Sequence, residues 1–272
     1  MSFTRGILLI TLFIFIIPNL ISQSYSQKRI PCEKSVYLLT YHFIKKPNFS
    51  PNIQNDVNEL YIFTNYFNTV FEGACIEFKI CKIDTIEDYN YFNVMDDPKV
   101  REYLDILNIY YDNSAINIYW VGDRKDQTNF GICSTPSQKP SIFLPFDKAI
   151  DRALGLAANQ MLRYFGLIPT TSYPGSIEYV NTTNGTLTAD STWDTPADPY
   201  AITASPDTVY GPLFIPYYYT TKRDVNGDLY NPMIYNLMCD IYTEGKCTKL
   251  THEQYQKLVI NDRMCRRKRW GL

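Results

Sequence analysis

Asn159, Gln160, Arg163 and Gly166 fall at helical spacing, with Pro169 one turn further on, so a helix through them would carry the first four on one side. The chemistry open to that side is narrow. Asn159 offers a metal only a weak amide oxygen. Arg163 is a permanent cation and repels a metal ion. Pro169 has no side-chain donor. Gln160 is a carboxamide and cannot take a proton from water near neutral pH, so it cannot serve as a general base. The whole chain holds two histidines, His42 and His252. A site built from three imidazoles is therefore excluded by count, and a catalytic zinc needs three protein ligands and one open position. Arg163 itself needs either solvent or a counter-charge, because a buried unpaired charge is costly. Glu178, Asp190, Asp194 and Asp198 are the candidate partners.

The elements that must position these residues read as α/β. Ala149, Ile150, Ala153, Leu154, Ala157, Met161, Leu162 and Phe165 recur near helical spacing and predict a core helix over 148–166. Further helices are expected over about 52–70, 98–108 and 251–266. Strands are expected over 35–43, 75–84, 115–121, 129–133 and 141–144. Thr251 with Gln254 three residues later is a capping box. Residues 168–230 are rich in Thr, Pro, Tyr, Gly and Asn, and read as long loops.

Several segments resemble one family. Leu38-Leu39-Thr40-Tyr41-His42-Phe43, Ala74-Cys75-Ile76-Glu77-Phe78-Lys79-Ile80-Cys81 and Ala115-Ile116-Asn117-Ile118-Tyr119-Trp120-Val121 are similar to the first strands of the pappalysin-type proteases, a metzincin subgroup. Asp194-Thr195-Pro196-Ala197-Asp198-Pro199 resembles their D-T-P-A-D-P loop. Asn231-Pro232-Met233-Ile234-Tyr235 resembles the N-x-M-x-Y of their Met-turn, which makes Met233 and Tyr235 its residues here. Cys247-Thr248-Lys249-Leu250-Thr251-His252-Glu253-Gln254 resembles the start of their closing helix. The order and spacing agree from about residue 35 to residue 264, and the likeness is greatest to members from Bacteroidota bacteria. In that register the metzincin pattern H-E-x-x-H-x-x-G-x-x-H is replaced by Asn159, Gln160, Arg163, Gly166 and Pro169. Gly166 and Leu167, which shape the helix end, are kept.

The resemblance implies a zincin-like fold: a twisted mixed sheet with backing and active-site helices, above an irregular lower subdomain holding the Met-turn and a C-terminal helix. It implies a former peptidase with no zinc and no catalytic residue. Family members can carry structural calcium near the D-T-P-A-D loop, which makes Asp194 and Asp198 candidate ligands, although a hard cation needs six or more oxygens. A family cysteine before D-T-P is Trp193 here. The sheet edge that pairs with extended substrate in active metzincins corresponds to Phe130, Gly131, Ile132, Cys133 and Ser134, a candidate edge for β-augmentation by a partner.

Residues 1–26 read as a secretory signal. Arg5 opens it, an apolar stretch runs from Ile7 to Ile17, and Ser22, Ser24 and Ser26 permit cleavage. The remainder, 27–272, is long enough for one domain, with an upper part over 27–167 and a lower part over 168–272. No later segment has the length and apolarity of a transmembrane span. The net charge of −2 gives no nucleic-acid signal; basic residues gather only at the end, in Arg263, Arg266, Arg267, Lys268 and Arg269. Seven cysteines in an exported chain suggest disulfides. Cys239 and Cys247 flank a short loop and could close it. Cys75 and Cys81 are poorly placed for each other, so each is expected to seek a distant partner. The reading of function is a binding or scaffolding subunit without catalysis, exported to the periplasm, outer membrane or cell surface, with envelope proteins as partners. Two others stand beside it. One is a residual or non-zinc hydrolase using Cys133 with His42 or His252. The other is a peptide or glycan binder using the Tyr-rich loops around Tyr217, Tyr218 and Tyr219.

Overall fold

The computed structural model describes residues 30–45, 53–87, 100–121, 132–133, 139–145, 150–170, 178–180, 190–198, 223–231, 233, 235–239 and 249–270. The chain divides into two units, 1–31 and 32–272. The signal-like segment 1–26 lies outside the described residues, as do Tyr217, Tyr218 and Tyr219. Everything below concerns the second unit.

Five strands form one sheet: β1 (Ser35–Lys45), β2 (Ile76–Glu87), β3 (Ile116–Val121), β4 (Ile132–Cys133) and β5 (Ser141–Pro145). Their order is β2-β1-β3-β5-β4. The first four in that order run parallel, and β4 is antiparallel to β5. Among the described residues, four α-helices accompany them: α1 (Ile53–Phe71), α2 (Val100–Tyr110), α3 (Ile150–Tyr164) and α4 (His252–Trp270). The expected α/β architecture is present, and each expected helix and strand has its counterpart. Among the described residues, β4 ends the sheet on one side; Phe130, Gly131 and Ser134 lie outside the described residues.

The sheet's two faces have different covers. β3 is buried along its whole length, as a parallel central strand packed on both faces must be. Odd-numbered residues of β1 face α1 and α3. The Tyr37 ring meets Phe165 edge-on at 5.1 Å, and the Tyr41 hydroxyl bonds Thr64 of α1. α1 presents Leu60, Phe63, Phe67, Val70 and Phe71 to this face, an apolar stripe at helical spacing. The even-numbered Ile44 joins the opposite cover, where α2 sets Ile106 and Leu107 against Ile86, Tyr119, Val121 and Phe143.

α3 ends in a Schellman motif. Gly166 adopts φ 81°, the left-handed conformation that glycine takes without penalty. Its N–H donates to Arg163 O at 2.8 Å, and Leu167 N–H donates to Leu162 O at 3.1 Å. The Gly166-Leu167 pair thus turns the chain out of the helix. Asn261 of α4 completes the end by donating to Phe165 O at 2.7 Å.

α4 is bound back to the start of the sheet. The buried Asp262 carboxylate accepts from Ser35 Oγ at 2.7 Å and Tyr37 Oη at 2.6 Å. The Tyr255 hydroxyl reaches Val70 O at 3.2 Å, and its ring lies over Gly73, where a Cβ would come within 2.8 Å of it. Cys32 and Cys75 form a disulfide that joins the chain entering β1 to the residue preceding β2. Cys75 therefore has a distant partner, as expected, whereas Cys81 carries an exposed thiol. The β1–β2 register shifts between Leu39 and Thr40, which leaves Cys81 as the extra residue of a bulge.

Replacing Asp262 by Ala strands two buried hydroxyls, and the expected loss is roughly 2–3 kcal/mol. Urea unfolding of the full chain checks this as a lower midpoint at unchanged slope.

Candidate functional site

The side of α3 that carries Asn159, Gln160 and Arg163 faces a tight turn formed by residues 236–239. Asn159 is 0% exposed and its amide is used at both ends. Nδ2 donates to Leu237 O at 2.7 Å. Oδ1 accepts from Arg163 Nε at 2.8 Å and lies 3.4 Å from Gln160 Nε2. Gln160 is buried as well, whereas Arg163 is half-buried. A zinc ion does not fit this donor set. The one oxygen that Asn159 could offer already takes a guanidinium proton, and that cation stands where a metal ion's charge would have to be. Among the described residues, no three of His, Cys, Asp and Glu come together so as to hold a metal ion.

The turn opposite α3 is built by residues just after the expected Met-turn segment. Met233 and Tyr235 were the expected Met-turn residues. Met233 is half-buried and Tyr235 is 46% exposed. A second Asn-x-Met, Asn236-Leu237-Met238, follows five residues later, and this one lies beneath the helix. Met238 is 0% exposed; its carbonyl accepts from Thr170 N–H at 2.9 Å, while that of Leu237 accepts from Asn159. The turn is fixed from within: Asn236 Oδ1 accepts from Met238 N–H at 2.8 Å and Asn236 Nδ2 donates to Gln254 Oε1 at 2.9 Å. Gln254 Oε1 also accepts from Thr251 N–H at 3.0 Å, and Thr251 Oγ1 accepts from Gln254 N–H at 3.3 Å. The expected capping box is present, and it joins the turn to α4. Asn236, Leu237, Met238 and Gln254 are the site residues that sequence reasoning missed; the repeated Asn-x-Met was the available signal.

The acidic candidates serve the loops around this turn. Asp198 Oδ2 accepts from Thr170 Oγ1 at 3.0 Å, and Asp198 N–H donates to Glu178 Oε2 at 2.6 Å. Asp190 accepts from Thr192 N–H at 2.9 Å and Thr195 Oγ1 at 2.8 Å. Asp194 Oδ2 accepts from Glu253 N–H at 2.8 Å, where an anion suits the N-terminus of α4. Asp194 and Asp198, the calcium candidates, are thus engaged in different bonds. Cys239 was the expected partner of Cys247. It is buried with its thiol 3.9 Å from Asp198 Oδ2, and Cys247 lies outside the described residues.

Neither histidine joins α3. His252 is exposed at the start of α4. His42 is buried on the even-numbered face of β1, opposite α3, stacked on Tyr119 at 4.4 Å. Its Nε2 lies 3.0 Å from Asn117 Oδ1. Asn117 Nδ2 donates to the carbonyls of Asp112 and Ala115, which orients the amide, so His42 Nε2 carries the proton. Burial holds the imidazole below its ordinary pKa, opposed by the Asn117 bond and by Asp84. The backbone sets Cys133 three strands from β1, about 14 Å at the usual strand spacing. His42 is therefore not within reach as a base for that cysteine.

Four parallel strands, an antiparallel edge strand, the helix that follows β5 and the turn beneath it form a mixed α/β architecture. No family model matches the sequence, and no curated protein matches it. Among solved structures, the chain is similar to archaemetzincin from Methanopyrus kandleri. The identity is 14%, the match covers 49% of this chain and 76% of that one, and the TM-score is 0.34. A chain in the structure of a chaperone–substrate complex is 11% identical; the match covers 83% of this chain and 35% of that one, with a TM-score of 0.33.

Two outcomes follow from the site. Asn159→Leu removes the bonds to Leu237 O and Arg163 Nε, and the expected cost is roughly 2–3 kcal/mol in urea unfolding. For His42, the folded-state pKa lies below the unfolded one, so the unfolded chain binds the proton first. Stability is then full above the unfolded value near 6.5 and falls as pH drops below it, by up to about 1.4 kcal/mol per pH unit for one proton. Denaturation midpoints measured from pH 7 to pH 5 should show that fall, and His42→Gln should flatten it.

Proposed function

We propose that this chain is a metallopeptidase-like protein without peptidase chemistry, acting as a binding or scaffolding subunit. The observation that carries this reading is the hydrogen-bonded set Arg163–Asn159–Leu237. Where a metzincin-like helix would present metal ligands and a general base, this helix presents an amide and a guanidinium that satisfy each other and the turn below. Gln160 supplies no base, and Arg163 disfavours any cation in that place. The fold is kept through other bonds, which supports selection for its surfaces.

The setting we propose is the cell envelope, reached by export through the signal-like segment 1–26. The partners are proteins of an outer-membrane or cell-surface assembly. The disulfide between Cys32 and Cys75 suits an oxidising compartment. Among the described residues, no helix is long and apolar enough to cross a membrane. The edge strand β4 offers one place for a partner strand to add.

The test uses the full mature chain, tagged and recovered from its native envelope. Metal analysis and a fluorescent-casein assay are run on the same sample as partner identification by mass spectrometry. Zinc well below one per chain, no hydrolysis above buffer and a stoichiometric partner are expected. About one zinc per chain, the load of a catalytic site, with hydrolysis that phenanthroline abolishes, would overturn the inactive reading. Recovery as a monomer alone would overturn the subunit reading.

A further inference from the structure

β2 closes the sheet at the end opposite β4, and among the described residues no strand pairs with its outer side. It is the longer edge by far, at 12 residues against the 2 of β4. α1 runs alongside it, and between them lies a cleft of about 460 Å³. Tyr61, Thr64, Asn65 and Asn68 line it from α1, at the spacing of one helix face. From β2 it touches residues 78–83 without a gap. Successive strand residues point to opposite faces, so a cleft that meets all six runs along the strand's edge.

One side chain already behaves there as a piece of a neighbouring strand. Asn68 Oδ1 accepts from Phe78 N–H at 2.6 Å, and Asn68 Nδ2 donates to Phe78 O at 3.2 Å. This is the two-bond exchange that a directly opposed residue makes in a sheet. The primary amide of Asn68 therefore stands in for one peptide unit. Among the described residues, no other side chain bonds both backbone groups of a single β2 residue, and the cleft continues past Phe78 to Ile83.

We propose that this cleft takes an extended, acidic segment of a partner protein, which adds to the outer edge of β2 from Lys79 onward. Asn68 marks the end of the pairing. Backbone bonds supply affinity in this mode, and the flanking side chains supply selectivity. The charged residues of the lining are Lys79 and Lys82, with no carboxylate among them. Each has a carboxylate at the rim: Lys79 Nζ is 3.5 Å from Glu77, and Lys82 Nζ is 2.9 Å from Asp84. Exposed pairs of this kind contribute little and can exchange for carboxylates of the incoming segment. Tyr61, 55% exposed on the α1 wall, gives that segment an aromatic surface. Bulges and lysines on an edge can also serve to keep strands away, and Cys81 forms such a bulge. The experiment therefore separates a docking edge from a closed one. The inference holds whether or not the chain has lost its zinc chemistry.

Random ten-residue peptides displayed on phage are panned against the full mature chain, and enriched sequences are synthesised. Affinity is read by fluorescence anisotropy and the footprint by hydrogen exchange. The expected result is enrichment of acidic peptides that slow exchange at residues 79–83. Asn65→Trp, at an exposed position on the cleft wall, should weaken binding about tenfold or more by filling the cleft, with an unchanged circular dichroism spectrum. Lys79→Glu should weaken it similarly without occupying space. No enrichment over empty beads would overturn the proposal, and so would a footprint on residues 132–133 or affinity indifferent to both variants. Each of those results would leave the β2 edge as a closed one.

Discussion

The bond from Asn159 Nδ2 to Leu237 O joins α3 to the turn formed by residues 236–239. A buried amide forces this kind of connection, because an unmatched donor or acceptor costs more than a made hydrogen bond returns. From that bond the remaining lower structure can be followed outward. Leu237 belongs to the turn that Asn236 holds closed, and Asn236 passes its other end to Gln254. Gln254 caps α4, and α4 returns through Asp262 to Ser35 and Tyr37 of β1. Tyr37 packs on Phe165, just past the end of α3. The circuit closes on itself. Loops that could not sustain their own core are thereby held to a sheet that can.

A metal ion at this position would join helix to loops by coordination, and the join would depend on ligand protonation. Here the join is made by the neutral Asn159 amide, which the Arg163 guanidinium orients. The titratable groups nearby do different work. Asp194 and Asp198 organise the start of α4 and the chain after α3. The bond of Arg163 to Asn159 also fixes which way that amide faces. Each side chain orients the other, so changing either one would disturb the join.

The α/β frame was legible because its signals are local. The mostly apolar β3, the helically spaced stripe of α1 and the Thr251–Gln254 box are each set by short-range pattern. The Gly166-Leu167 stop was legible for the same reason. Other features were not legible because only packing decides them. Asn-x-Met occurs at Asn231-Pro232-Met233 and again at Asn236-Leu237-Met238, and the second lies beneath α3. The Cys239 thiol is buried beside Asp198. The bulge at Cys81 is set by a register shift against β1, which no property of β2 alone reveals. His42 could not be placed from sequence either, since the face of β1 it occupies is decided by what covers that face.

Asparagine side chains recur at the places where this backbone leaves regular pairing. Asn117 binds the chain between α2 and β3, Asn236 closes the turn under α3, and Asn261 caps the end of α3. Asn159 reaches Leu237, and Asn68 covers Phe78 at the edge of β2. A primary amide offers the same donor and acceptor as a peptide group, on a tether short enough that little rotamer freedom is lost when it is fixed. Aspartate would match only the N–H groups, and an apolar residue would match neither kind. Where chain topology denies a second strand or another helical turn, a single asparagine can supply the missing peptide unit. Asn159 belongs to that pattern, and through it the buried face of α3 is joined to the turn at residues 236–239.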